Sequence, residues 1–320
     1  MSKQSVLPLP RLDQAMKKKA TKREIFLAEM DAVVPWSLLL SIIEPHYPKL
    51  GPYRGRPPIS LETMLRVHFL QNWYDLSDPG VEDALLDIEP MRTFAGIEFG
   101  IHQIPDETTV LRFRRLLEKH GLAEKIFEAV NRHLKDKGYA LGAGTMVDAT
   151  IIRAPTSTKN DAKARDPEMS STKKANDRHF GMKVHVGADA QTGLVHSYEA
   201  TTAKVPDVQV WDQLLHGEEK SVWADKGYVS EERRKEFLGR GRSWCVMRKA
   251  PSGGKLSEVD KRFNWRISRV RGKVEHPFRV VKRQFGYRKV RYRGIAKNRS
   301  QQLTLFALSN LYTVRLELAA

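Results

Sequence analysis

The 320-residue chain carries 55 Lys or Arg against 38 Asp or Glu, a formal charge of +17, with 41% hydrophobic residues and one cysteine, Cys245. This excludes a disulfide framework or a multi-cysteine metal centre within the chain and leaves room for two cored domains. No apolar run approaches the ~18 residues of a membrane span, and MSKQSVLPLP lacks the apolar core of a signal peptide, so a reducing cytoplasmic setting is expected.

The charge is unevenly placed. Residues 1–140 hold 20 basic and 19 acidic side chains, whereas residues 141–320 hold 35 and 19. Such asymmetry points to a polyanion partner for the second half. Nucleic acid fits better than anionic lipid, because the charge is spread along a folded segment and not confined to one amphipathic anchor.

In chain order, residues 1–21 form a loose basic arm whose MKKKATKR segment either touches phosphates or is disordered. Residues 22–140 have helical patterning, interrupted at GPYRGRPP (51–58), with runs at Leu61–Trp73, Gly80–Leu86 and Thr108–His120. Asp106 is a suitable N-cap for the last run and Gly121 closes it. Val110, Leu111, Leu116 and Leu117 can face a core while Arg112, Arg114 and Arg115 point elsewhere. A helix-turn-helix reading places these arginines on DNA; an ordinary bundle helix with a wet basic face is the alternative.

At residues 141–152, LGAGTMVDATII, the pattern changes to a strand, with Met146, Asp148 and Thr150 on one side and Val147, Ala149 and Ile151 on the other. Strands disfavour Asp, and a buried carboxylate is costly without a cation, so Asp148 is either paired or functional. Residues 156–178 read as a polar flexible loop, and 181–203 as a β-hairpin turning at Gln191-Thr192-Gly193. His185 and His196 fall inside its strands with no assigned role. Val205–Leu215 reads as helical and SVWAD (221–225) as a short buried strand ending on Asp225. Acids at the C-terminal ends of strands project into the crevice where open α/β sheets bind ligands; a cap or turn role is the alternative. A helix near Ser230–Leu238, a strand at Ser243–Met247, a basic loop over 249–264, a strand at Tyr287–Tyr292 and a closing helix at Arg299–Leu316 complete the expected order.

The most informative stretch is Arg266–Arg293, RISRVRGKVEHPFRVVKRQFGYRKVRYR, whose 28 residues include eleven Lys or Arg and a single acid, Glu275. Ile267, Val270, Val274, Phe278, Val281 and Phe285 form one apolar helical stripe. At about 100° per residue, Ser268, Arg271, Glu275 and Lys282 share the face beside it. Pro277 removes one helical hydrogen bond and kinks the helix or starts a fresh turn. One acid among cations suits a metal ligand lying against a phosphate backbone. The plainer alternative is a solvated basic helix with an Arg271–Glu275 pair of about 0.3–0.5 kcal/mol.

Three acids thus stand out separately: Asp148 in a strand, Asp225 at a strand end, and Glu275 on a cationic helix, spaced by 77 and 50 residues. Carboxylates without cysteine ligands suit hard cations such as Mg²⁺ or Mn²⁺. A pair of such ions clamps the attacking and leaving oxygens of a phosphoryl transfer, and the surrounding Lys and Arg would hold a DNA backbone.

These residues resemble a known family. GRPP, PDETTVLRFR, MVDATII, DPEMSSTKK followed by FGMKVHVGADAQTGLVHS, ADKGY and RVRGKVEHPFRVVKRQFG, spread over residues 50–310, are similar to DDE transposases of bacterial insertion sequences, specifically the insertion-sequence-5 family of the insertion-sequence-4 superfamily. The resemblance implies a helical DNA-binding and dimerisation domain over 22–140. A ribonuclease-H-like domain over 141–320 would follow, a mixed sheet flanked by helices in an α+β or α/β arrangement. It further implies that Asp148, Asp225 and Glu275 hold two Mg²⁺ or Mn²⁺ ions. The activity implied is cut-and-paste transposition: cleavage of double-stranded DNA at terminal inverted repeats and strand transfer into target DNA, by a homodimer on paired ends in the bacterial cytoplasm at the nucleoid. Arg271, Lys282, Lys273, Arg279, Arg283 and Lys226 are the expected DNA contacts in that half. The superfamily signature of Tyr, Arg, Glu and Lys is matched at Arg271, Glu275 and Lys282, with Ser268 at the Tyr position. A nuclease without strand transfer and a non-catalytic DNA-binding relic are the rival functions.

Overall fold

The computed structural model describes residues 19–49, 57–139, 144–161, 163–174 and 177–318. Most of the basic arm, the GPYRGR stretch and the residues just before the first strand lie outside that set.

Seven helices come first: α1 (Lys22–Val33), α2 (Trp36–Ile43), α3 (Leu61–Trp73), α4 (Asp78–Asp87), α5 (Glu89–Phe94), α6 (Glu107–Lys119) and α7 (Leu122–Asp136). Their starts follow capping chemistry. Thr21 and Glu24 close a capping box on α1, so this part of the expected loose arm is fixed. Ser60, Ser77 and Asp106 accept from backbone N–H groups to open α3, α4 and α6. Residues 95–106 separate α5 from α6, longer than the tight turn of a helix-turn-helix.

The sheet contains β1 (Gly144–Arg153), β2 (Ser170–Lys174), β3 (Asp177–Asp189), β4 (Val195–Thr202), β5 (Ser221–Ala224) and β6 (Ser243–Val246). β3 pairs antiparallel with β1, β2 and β4, while β5 and β6 run parallel to β1 in the order β1-β5-β6. An antiparallel meander extended by two parallel strands beside its first strand is the ribonuclease-H-like arrangement expected from the resemblance. Helix α8 (Glu231–Gly239) joins β5 to β6. Then come α9 (Glu258–Arg271), a 3₁₀ turn at Gly272–Val274, α10 (Glu275–Arg279), a π-helical turn at Val280–Gln284, and α11 (Ile295–Leu318).

α11 ties the two halves together. Thirteen of its residues are buried, and the seven apolar ones between Leu303 and Val314 share one hydrophobic cluster with side chains of α1–α7 and of the sheet. Arg315 donates to Glu29 at 2.7 Å, and Asn310 bridges Asn131 and the Val195 carbonyl. A second cluster, Val147, Val210, Trp211, Val222, Tyr228 and Phe237 among them, fills the other face of the sheet. No single helix among the described residues is long and apolar enough to cross a membrane.

Four expectations need correction. The polar loop of 156–178 contains β2 and the start of β3; Asp166 and Glu168 accept from the Gly294 and Ile295 N–H groups, capping α11. Its polarity reflects an edge strand and a capping role. The basic loop of 249–264 is half helix, because Ser257 caps α9 by accepting from the Asp260 N–H. Val205–Leu215 is helical only as a 3₁₀ segment, Asp207–Gln213. The strand at Tyr287–Tyr292 shrinks to one bridge, Arg153 to Lys289, with the Val290 N–H donating to the Arg153 carbonyl. Cationic residues at 288, 289, 291 and 293 leave little apolar alternation to hold a longer pairing.

Candidate active site

β1 and β5 are in parallel register from Gly144–Ser221 to Val147–Ala224. The next residue in each case is an acid, Asp148 on β1 and Asp225 just beyond β5, so the two acids lie at the same end of two adjacent strands. Asp148 still belongs to β1, paired across to Val186 of β3, so its backbone is rigid. Asp225 is already outside the sheet. Its Oδ1 accepts from the Gly227 N–H at 2.7 Å and caps a 3₁₀ turn, Lys226–Tyr228. A Cβ on Gly227 would lie 2.8 Å from that oxygen, so a larger residue there would make the carboxylate shift. Both the cap reading and the functional reading of Asp225 thus describe the same carboxylate.

The basic stretch lies over this edge. The expected apolar stripe is realised: Ile267, Val274, Phe278, Val281 and Phe285 are buried, and Val270 packs against the core. The straight helix is not. α9 ends at Arg271, a 3₁₀ turn follows, and α10 begins at Glu275 with Pro277 in its first turn, where proline costs no helical bond. After Arg279 the backbone widens to the π-helical turn, the Phe285 N–H donating to the Val280 carbonyl. Such bulges often accompany functional sites.

From this bent segment Arg271 Nη2 donates to Asp148 Oδ2 at 2.9 Å, with only 19% and 15% of the two side chains exposed. Asp148 Oδ1 accepts from the Ala149 N–H. Burial pushes the Asp148 carboxyl above its ordinary range, Arg271 and the Ala149 N–H pull it back down, and the neighbouring Asp225 pushes it up again. Lys282 donates to Thr150 Oγ1 at 2.7 Å and to the Ile151 carbonyl. Two of the three signature positions therefore reach the β1 edge on which Asp148 lies. Lys273 donates to the Ala190 and Gln191 carbonyls at the β3–β4 turn. Arg279, Arg283 and Lys226 are exposed. Glu275 is exposed at the start of α10, and among the described residues no three His, Cys, Asp or Glu side chains surround one point.

Arg114 corrects the α6 reading. It is buried, donates to Asp78 at 2.8 Å and Glu118 at 3.3 Å, and lies 3.9 Å over the Tyr292 ring. An i,i+4 acid and an acid on α4 hold it inside, so it is not presented to DNA. Arg112 and Arg115 are exposed. Sequence reasoning also passed over Tyr228 and Asp207, although ADKGY carried a signal for the first. Tyr228 is fully buried beside Trp211, and its hydroxyl is raised by burial and by the charges of Asp207, Asp148 and Asp225.

The donor chemistry fits a hard divalent cation. Asp148 and Asp225 lie at the same end of two adjacent central strands, where burial first and Asp225 as well raise the Asp148 carboxyl while Arg271 and the Ala149 N–H lower it; a divalent ion would further offset the two charges.

Fold and paired acids place the chain among ribonuclease-H-like proteins with carboxylates at the ends of their central strands. The family model described as a transposase DDE domain matches residues 140–311, and a second, described as a transposase domain, matches residues 14–116. The chain belongs to the DDE transposase-domain family. Among solved structures it is similar to the cryo-EM structure of the piggyBac transposase synaptic complex with hairpin DNA, with 10% identity, a TM-score of 0.43, and coverage of 90% of this chain and 72% of that one.

Proposed function

We propose that the chain is an insertion-sequence transposase of the insertion-sequence-5 type, which cuts double-stranded DNA at terminal inverted repeats and joins the freed ends to target DNA. The observation that carries this reading is the neighbouring pair Asp148 and Asp225, with Arg271 reaching Asp148 from a segment that also bears Glu275. Asp148, Asp225 and Glu275 would hold the divalent ions, two of Mg²⁺ or Mn²⁺. Bound there, the ions would supply Lewis-acid stabilisation and acidify the attacking water or 3′-hydroxyl.

The chain's own residues do the remaining work. Asp148 comes from a rigid strand, so its oxygens are fixed before substrate arrives. Arg271 neutralises Asp148 in the absence of DNA and is placed to turn a guanidinium edge to a phosphate when cations occupy the carboxylates. Lys282, anchored on Thr150 and Ile151, supplies fixed positive charge beneath the scissile region. Arg279, Arg283 and Lys226, with Lys273 at the rim, hold the backbone, and Arg112 and Arg115 extend the contact onto the helical part. Assembly on paired ends as a homodimer belongs to the same reading.

The test is a plasmid carrying the DNA that flanks the gene, incubated with protein and Mg²⁺ beside Asp148→Asn. Cuts at paired repeats that vanish in the variant support transposase chemistry. Cuts that persist in the variant sink the assignment.

A further inference from the structure

Beyond the three acids, a fourth carboxylate turns toward the Asp225 turn. Asp207 opens the 3₁₀ segment Asp207–Gln213 that follows the β4 hairpin. Its Oδ2 lies 3.7 Å from where a Cβ of Gly227 would sit, while Asp225 Oδ1 lies 2.8 Å from the same point, so two carboxylates bracket one glycine. Two carboxylates flanking one residue disfavour each other's charge, and a cation beside them offsets this.

One cation is visible. Lys183 donates to Asp207 Oδ1 at 2.9 Å and to the Val205 carbonyl at 2.6 Å, holding Asp207 in place from β3. Lysine thus engages one oxygen, and the other lies toward Gly227 of the Asp225 turn. Two fully buried polar groups of this region lack a hydrogen-bond partner: His185 Nδ1, 3.9 Å from Asp207 Oδ1, and the hydroxyl of Tyr228, which closes the Asp225 turn. Orphaned buried polar atoms are costly, and each calls for an explanation.

We propose that Asp207 is a positioning residue of the catalytic centre, fixing the Asp225 turn and sharing the charge of a divalent ion held by Asp225. This rests on the reading of Asp225 as a metal ligand. Groups that orient a ligand in this way typically contribute 10–100-fold in metal affinity. Lys183 sets the direction of the Asp207 carboxylate, and Tyr228 walls the turn beneath it.

The test is a titration of the protein, without DNA, with MnCl₂, following the free-ion electron paramagnetic resonance signal, for wild type, Asp207→Asn and Asp225→Asn. Melting temperature in a chelator serves as the folding control. The proposal expects D207N to melt like wild type yet to bind Mn²⁺ at least ~10-fold more weakly, and to need correspondingly more Mg²⁺ for cleavage. Wild-type Mn²⁺ affinity in a folded D207N overturns it. Should D207N fail to fold, Asp207→Glu keeps the charge for Lys183 but moves the oxygens; weakened Mn²⁺ binding in folded D207E supports the proposal and unchanged binding overturns it. If D225N also binds Mn²⁺ like wild type, the failure lies with the metal reading of Asp225 itself.

Discussion

Asp148 and Asp225 each occupy the first position beyond the last paired residues of two adjacent parallel strands, Val147 and Ala224. The sheet therefore delivers two carboxylates to one edge without any loop search. The cost appears in the protonation equilibrium: Asp148 is raised by burial first and by Asp225 as well. A group whose folded pKa is raised stabilises the fold only while protonated, so stability falls as pH climbs from the unfolded carboxylate value through the folded one. At neutral pH ionised Asp148 is thus a burden on the fold. Asp148→Asn should abolish cleavage while changing the melting temperature in a chelator little, because relief of the buried carboxylate is offset by leaving Arg271 without its partner. A clear drop in melting temperature would show that the acid is there to hold the fold.

Arg271 supplies the opposing term. Its contact with Asp148 is largely shielded, and removing one member of such a pair leaves a desolvated charge behind. Arg271→Ala should cost about 1–2 kcal/mol, less than a fully buried pair because both groups retain some water. Because a divalent ion and Arg271 compete for the same carboxylate, Mg²⁺ should recover more stability in R271A than in wild type. Chemical denaturation with and without Mg²⁺ measures both effects, and equal recovery in the two proteins would count against the competition.

Gly227 tests the geometry of the second acid. A methyl group there would meet Asp225 Oδ1 at 2.8 Å, so the carboxylate would have to shift away from it. Gly227→Ala should lower cleavage by at least ~100-fold, since positional errors of about 1 Å at a reacting centre cost that much. Global stability should change little, because the turn lies at the exposed sheet edge. A large fall in stability with cleavage retained would contradict the assignment.

The three acids stand out in the sequence because each breaks a local rule: an Asp inside a strand, an Asp closing one, a lone Glu among cations; the fold makes neighbours of Asp148 and Asp225, while Glu275 is exposed at the start of α10. The apolar stripe from Ile267 to Phe285 was legible for the same reason that helices are, a period that survives bends. What periodicity cannot show is partnership across sequence. Asp78 and Glu118 bury Arg114, which on α6 alone looks like a wet face. Lys183 holds Asp207 from 24 residues away, and Asp166 and Glu168 cap a helix that begins more than a hundred residues later. These are ordinary polar residues until the fold brings their partners to them. The strand expected at 287–292 failed because alternation among cations is no evidence of burial.

The arginines of α6 separate structure from recognition. Arg114→Ala removes a cation from between two partly buried acids and off the Tyr292 ring, and should destabilise by about 2–3 kcal/mol. Arg112→Ala and Arg115→Ala, both at exposed sites, should stay within about 0.5 kcal/mol of wild type. If the helical part touches DNA, these two substitutions weaken binding and flatten its salt dependence. Unchanged salt dependence in the double variant would remove α6 from the DNA interface.

Two core histidines give the fold an acid limit. His68, between α3 and α6 and facing Arg114 and Asp78, is lowered to about 4, by burial first and then by Arg114; His196, beside Thr145, His216 and Glu219, is lowered to about 4 by burial first and then by His216. The unfolded chain takes up a proton near the ordinary histidine value of 6.5, while the folded chain resists until about 4. Stability is therefore full above the unfolded pKa and is lost as pH falls from there toward the folded value. Each such histidine adds about 1.4 kcal/mol per pH unit to that loss. Urea unfolding between pH 7 and pH 5 should show the decline, and His68→Leu should reduce its slope by about one proton's worth. A slope unchanged by H68L would mean that His68 is protonated in the folded protein.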